Sequence, residues 1–240
     1  MVFKLEDSLG YNPLRIAQYE RAVGVAESAN DLGLRTFPDT FRGYNSRLAA
    51  LLGLSYLVLD RPIPELPRHV PRPRGTLLFA GDHFFVYRLD QSLAARAYLA
   101  TRLKPIDVDG TIDGGSLPTF MIGQEALIDQ DELDLLKDKA LVDVSAPIGG
   151  SKALITAYGS NRIAIDVDAA AAGLLVLHDI AYPGWDVSVD GVKAPLLRAN
   201  LLFRGVEVPA GHHAVEFSFH PLSLANLAAA VGDLLHKDDK

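Results

Sequence analysis

The sequence predicts an α+β, mostly β protein: a mixed α/β part over residues 1–110, followed by an antiparallel, jelly-roll-like β-sandwich over residues 111–240 with a short C-terminal helix or tail. Three observations carry this expectation. From Ala153 onward, strand-length apolar runs recur at the spacing of about 8–12 residues typical of an antiparallel sandwich. The breaks between them hold turn chemistry, with Ser160-Asn161 after Gly159, then Asp190-Gly191 and Pro209-Ala210-Gly211. Asp-Gly is a preferred type I′ hairpin pair because both positions need positive φ. Helix-capping signals stand near the start of the chain.

In order, Asn12-Pro13 supplies a cap and a first-turn proline ahead of Ile16, Tyr19, Val23 and Ala26, the spacing of an amphipathic helix. Asn45-Ser46 before Leu48, Leu51 and Leu52, closed by Gly53, predicts a second, short helix, and Leu54–Leu59 a buried strand. Residues 61–74 hold five of the 14 prolines among Arg61, Arg68, Arg72 and Arg74. They predict an extended basic loop, either a contact for an anionic surface such as phospholipid headgroups or a solvated polyproline-like connector. Strands are expected at Thr76–Ala80, Phe84–Leu89 and Ala97–Arg102. Residues 107–150, rich in Gly and Asp, divide the chain, with a short helical signal at Asp131–Lys137.

Six strands follow: Ala153–Tyr158, Arg162–Val167, Gly173–His178, Trp185–Val189, Leu201–Val208 and Ala214–Phe219. Ile163, Ile165 and Val167 face one way, with Arg162, Ala164 and Asp166 the other, as period-two geometry requires of a half-buried strand. Leu224–Leu235 reads as a helix or frayed tail.

Composition excludes several functions. With 49% hydrophobic and 22% charged residues and a mean hydropathy of +0.14, the 240-residue chain belongs with packed globular proteins. It has no Cys, hence no disulfide framework, thiolate metal site or cysteine nucleophile. A net charge of −7 leaves no basic field for nucleic acid. The charge is uneven: residues 1–110 carry 14 Lys and Arg against 12 Asp and Glu, and residues 111–240 carry 9 against 18. No apolar run reaches the roughly 18–20 residues that cross a bilayer, and the first ten residues lack the basic-then-apolar layout of a signal peptide.

Catalytic signatures are sparse. GxSxG, GxxxxGK[ST], HExxH and a post-strand GxGxxG are all missing, so no catalytic residue and no cofactor is assigned. Asp107 and Asp109 beside Gly110 read as turn formers, and Asp166 and Asp168 as the solvated face of a strand. The histidines show no metal-ligand spacing; His212 and His213 are adjacent and would face opposite ways. The densest local constellation is His178-Asp179 followed by Tyr182-Pro183-Gly184-Trp185. It could serve as a sugar platform, an aromatic face stacking on a pyranose while Asp and His bond its hydroxyls; equally, Trp185, the only Trp, could plug the sandwich core. Arg198 and Arg204 flank Asn200 and could pair with Asp179 or Asp186 to order the sheet edge.

These same segments carry a resemblance. The run GLLVLHDIAYPGW at Gly173–Trp185 leads to Asp190-Gly191, Arg198-Ala199-Asn200, Phe203-Arg204-Gly205-Val206, Val208-Pro209-Ala210-Gly211-His212 and Phe217–Pro221. In this order they resemble the YfhO-like bacterial multispanning membrane proteins, which look like members of the C-type glycosyltransferase superfamily. Toward the N-terminus, Gly10–Leu14 with Tyr19, Leu51–Val58, and Val86-Tyr87 with Ala95–Tyr98 are similar to the opening of the family's soluble domain. The resemblance implies a C-terminal extracytoplasmic domain, on the periplasmic face of the cytoplasmic membrane, of a longer protein with its own transmembrane part, Met1 being an introduced start. It implies sugar transfer from a polyprenyl-phosphate donor in that membrane part, with this chain non-catalytic. The expected partners are that transmembrane part and a glycan or lipid-linked sugar, met through Tyr182, Trp185, His178, Asp179, Arg198 and Arg204. The alternative is a structural or protein-interaction module without sugar binding. Members that end in a further membrane helix differ from this chain, whose end turns polar at His236–Lys240.

Overall fold

Strands dominate the computed structural model, which describes residues 19, 21, 22, 44–66, 72–91, 93–142 and 150–221. Of the predicted opening helix, only Tyr19, Arg21 and Ala22 are among them, all helical; the predicted element at Leu224–Leu235 lies outside the described residues. The chain divides into two compact, discontinuous units: residues 1–94 with 107–119, and residues 95–106 with 120–240.

In the first unit, Ser46 accepts the Ala49 N–H at 3.0 Å and caps helix α1 (Arg47–Leu51), satisfying one of the orphan donors of the first turn. Gly53, at φ +72°, reverses the chain after it, a conformation that glycine adopts without the Cβ penalty. Strands β1 (Tyr56–Leu59), β2 (Gly75–Ala80) and β3 (Phe85–Leu89) form an antiparallel sheet in the order β1-β3-β2. Within the described part of residues 61–74, regular structure is a single 3₁₀ turn at Ile63–Glu65. Tyr44, Ala49, Leu57, Leu66, Tyr87 and Leu89 make the core of this unit. Asp107 and Asp109, expected to form a turn, instead open helix α2 (Val108–Asp113), because the Asp107 carboxylate accepts the Gly110 N–H at 3.0 Å and acts as the N-cap.

The second unit is the sandwich. Its strands are β4 (Ala97–Ala100), β5 (Arg102–Ile106), β6 (Glu125–Asp129), β7 (Lys152–Tyr158), β8 (Arg162–Ala169), β9 (Gly173–Ile180), β10 (Trp185–Val189), β11 (Val192–Ala194), β12 (Leu197–Ala199), β13 (Phe203–Val208) and β14 (Gly211–Phe219). A five-stranded sheet runs β11-β10-β14-β8-β7 and a six-stranded one β4-β9-β13-β12-β6-β5, every pairing antiparallel except β5 with β6. The predicted strand Ala97–Arg102 splits at Thr101, whose N–H goes to the Gln124 carbonyl at 3.1 Å, so that β4 joins β9 and β5 joins β6. Ile163, Ile165 and Val167 meet Leu175, Leu177, Val206, Val215 and Phe217 in a core shared by both sheets. Leu174 and Val176 point the other way, into a second core with Tyr98, Ile128, Leu136 and Leu141. Strand β9 is therefore buried on both faces, which is why its sequence is a continuous apolar run and not an alternating one. Strand β8 alternates as predicted, with Asp166 and Asp168 on its solvent side.

Candidate functional site

The six predicted site residues fall into three places in the sandwich unit. Because successive side chains on a strand point to opposite faces, His178 and Asp179 at the end of β9 enter different environments.

Asp179 is the centre of the first. Its Oδ1 accepts from Nη2 and Nε of Arg96 at 2.8 and 3.1 Å, and the Tyr158 hydroxyl lies 2.9 Å from Oδ2. The Arg96 guanidinium also bonds the Tyr158 hydroxyl and stacks over that ring, 4.5 Å from its centroid. Arg204 on β13 donates through Nε to the Ile180 carbonyl at 3.0 Å, and its Nη1, buried with no partner within hydrogen-bonding distance, lies 3.8 Å from Asp179 Oδ2. Its guanidinium carbon lies over the Trp185 ring, 3.6 Å from the ring centroid. Burial pulls the Arg204 pKa down to about 10, partly offset by the Asp179 charge. Trp185 and Tyr182 both pack on Phe219, at centroid separations of 5.3 and 6.2 Å. Trp185 is half-buried against the sandwich core and has one face covered by a cation.

His178 belongs to the second place. Its Nδ1 meets the Ala95 carbonyl at 2.8 Å, which makes Nδ1 the protonated nitrogen, and Nε2 accepts from Asn200 Nδ2 at 3.2 Å. Asn200 also donates to the Tyr98 hydroxyl at 2.9 Å and accepts the Leu127 N–H at 2.9 Å. The Tyr98 hydroxyl in turn donates to the Glu125 carbonyl at 2.9 Å. Phe203 meets the imidazole edge-on at 4.9 Å. Burial pushes the His178 pKa down to about 4 and the Tyr98 pKa up to about 12, so both are neutral near pH 7. A neutral imidazole with both nitrogens engaged holds strands together; it has no free nitrogen to offer a substrate.

Arg198 occupies the third. It stands opposite Arg204 in the β12–β13 register, but its Nη1 reaches Asp129 at 3.6 Å and its N–H is taken by Glu132 at 2.5 Å. The structure thus groups Asp179, Arg204, Trp185 and Tyr182, and separates His178 and Arg198 from them. Sequence reasoning did not single out Arg96, Tyr158 and Tyr98, whose partners lie 83, 21 and 102 residues away. The signal for Asn200 is a polar residue followed by two apolar ones, Leu201 and Leu202, between two strands.

Among the described residues, no group of three His, Cys, Asp or Glu side chains could hold a metal ion. A cleft of about 300 Å³ lies elsewhere in this unit, between the β10–β11 hairpin and residues Leu135 and Lys137, and none of the six predicted residues lines it. Its carboxylates are engaged within the fold: Glu207 accepts the N–H groups of Lys137 and Asp138, and Asp190 binds His213 and the Ala214 N–H. Among the described residues no helix is long and apolar enough to cross a membrane.

No curated protein and no solved structure matches the chain. Residues 122–229, a stretch that contains β6 through β14 and excludes the N-terminal segments of the resemblance, match the family model described as "Bacterial membrane protein YfhO".

Proposed function

We propose that this chain is a non-catalytic extracytoplasmic accessory domain of a multispanning, glycosyltransferase-like membrane protein, placed beside that protein's transmembrane part and offering Tyr182 and Trp185 to an acceptor glycan or lipid-linked sugar. The observation that carries the reading is the match of residues 122–229 to a family described as a bacterial membrane protein. Arg204 holds Trp185 against the sheet and Asp179 is engaged by Arg96 and Tyr158, which suits a contact surface better than an acid–base site. The test is an immunoblot of fractionated native cells. A band well above 25.9 kDa in the membrane pellet is expected; a soluble band at that mass overturns the reading.

One observation favours a structural or protein-interaction module instead: the Arg204 guanidinium already covers a Trp185 face on which a sugar would stack. Trp185 is the only Trp, so its emission reports directly. Glycan-dependent protection from acrylamide, lost in a folded Tyr182→Ala variant, supports the glycan contact. A Trp185→Ala protein that folds and binds glycan with unchanged affinity removes it.

A further inference from the structure

The sheet of the first unit exposes an apolar face. Phe79 and Phe84 stack across the turn joining β2 and β3, with ring centroids 5.2 Å apart and planes 21° from parallel, each about half exposed. Gly81 makes the stack possible, since a Cβ there would lie 3.0 Å from the Phe79 ring and 3.4 Å from that of Phe84. The register aligns Val58, Val86 and Phe79 in one row across the sheet, and Tyr56 begins the next. Val58 and Tyr56 are 69% and 57% exposed, whereas Leu57 and Tyr87, pointing the other way, are buried. A contiguous apolar patch of this kind marks an interaction surface.

What surrounds the patch indicates its partner. Arg72 and Arg74 lead into β2, and Arg88 stands in the outward row between Tyr56 and Thr76; all three are exposed. Residues 44–94 carry six arginines against four carboxylates in a chain whose net charge is −7. An aromatic turn, with Asp82 at its tip and guanidiniums set back from it in the next outward row and at the far end of β2, matches the boundary of an anionic bilayer, with apolar groups entering the acyl region and cations meeting phosphates. We propose that the β1–β3–β2 face and its Phe79–Phe84 turn dock on an anionic phospholipid surface. The inference rests on the accessory-domain reading only in expecting a membrane nearby.

The absence of Cys allows a single environment-sensitive fluorophore at His83→Cys, with Asp168→Cys in the other unit as control. The full chain is mixed with phosphatidylglycerol–phosphatidylcholine vesicles and with pure phosphatidylcholine vesicles. Blue-shifted emission at position 83 only, with co-sedimentation on the anionic vesicles, is expected. Phe79→Ser with Phe84→Ser should lower the partition coefficient at least about tenfold. Arg72→Glu with Arg74→Glu, which leaves the apolar residues in place, should abolish the preference for anionic vesicles. Failure to bind vesicles, or binding indifferent to both pairs of substitutions, overturns the inference. So does a position-83 signal that follows protein concentration without lipid, which would assign the face to a second copy. A protein found in native membranes that ignores vesicles fails this inference alone; one that binds vesicles but is soluble in cells fails only the accessory-domain reading.

Discussion

His178 makes the sandwich unit acid-labile through one identifiable group. Its ordinary pKa of about 6.5 falls to about 4 in the fold because burial opposes the charged form; the Asp179 charge and the Ala95 carbonyl offset this only in part. A base with a depressed native pKa leaves stability intact above pH 6.5 and removes it as pH falls toward 4, because the unfolded chain takes up the proton first. Each pK unit is worth about 1.4 kcal/mol, so the loss is about 2 kcal/mol at pH 5 and about 3 kcal/mol once fully developed. Several carboxylates with lowered pKa also lose their native advantage in acid, Glu125 beside Lys104 among them, so the wild type alone does not isolate the effect. His178→Gln keeps a donor and an acceptor without the titration. Urea unfolding of both proteins at pH 7 and pH 5 should show the variant gaining about 2 kcal/mol relative to wild type, which corresponds to roughly 4–8 °C in Tm for a chain of this size. An unchanged gap between the two pH values, or an imidazole proton resonance that titrates near pH 6.5 in the folded protein, would refute the reasoning.

The other perturbations are sharper in position. Asn200 has φ +48° and is fully buried, so Asn200→Ala should cost about 3 kcal/mol or more by orphaning the Leu127 N–H and straining the backbone; Asn200→Gly, which relieves only the strain, should cost less in the same urea titration. Gly173→Ala would place a Cβ 2.6 Å from the Ala100 carbonyl oxygen and 2.8 Å from Leu99 Cγ, prising β4 from β9; a loss of about 1–3 kcal/mol in denaturant unfolding is expected. His213 behaves oppositely to His178: its hydrogen bond to Asp190 at 2.7 Å raises its pKa, so its contribution is complete below about pH 6.5 and disappears as pH rises through the native pKa. The stability gap between wild type and His213→Gln should accordingly be wider at pH 6 than at pH 8.5.

Much of the fold was legible because local chemistry and tertiary structure agree in β8, β10 and β14. Asp190 at φ 52° and Gly191 at φ 77° adopt the left-handed pair that an Asp-Gly hairpin requires. Strands β5, β6 and β12 escaped notice for a physical reason. They are three to five residues long, and β12 is defined by its neighbours β13 and β6 and not by its own alternation. Asp107, three residues ahead of Gly110, suits both a turn and an N-cap, and only the residues beyond decide which backbone forms.

The site was less legible, because side-chain direction on a strand depends on a register that short-range signals do not fix. Adjacent in sequence, His178 and Asp179 read as two hydroxyl-binding groups of one sugar platform; one residue of pleat sends the imidazole to Asn200 and the carboxylate to Arg96. Arg198 and Arg204, six residues apart, come directly opposite each other, an arrangement of like charges that is unfavourable unless each has its own carboxylate. Asp129 and Asp179 supply those carboxylates from two different strands. The charged groups of the predicted site are thus engaged in holding neighbouring strands in register, so a glycan contact of the kind proposed would fall to the aromatic edges of Tyr182 and Trp185.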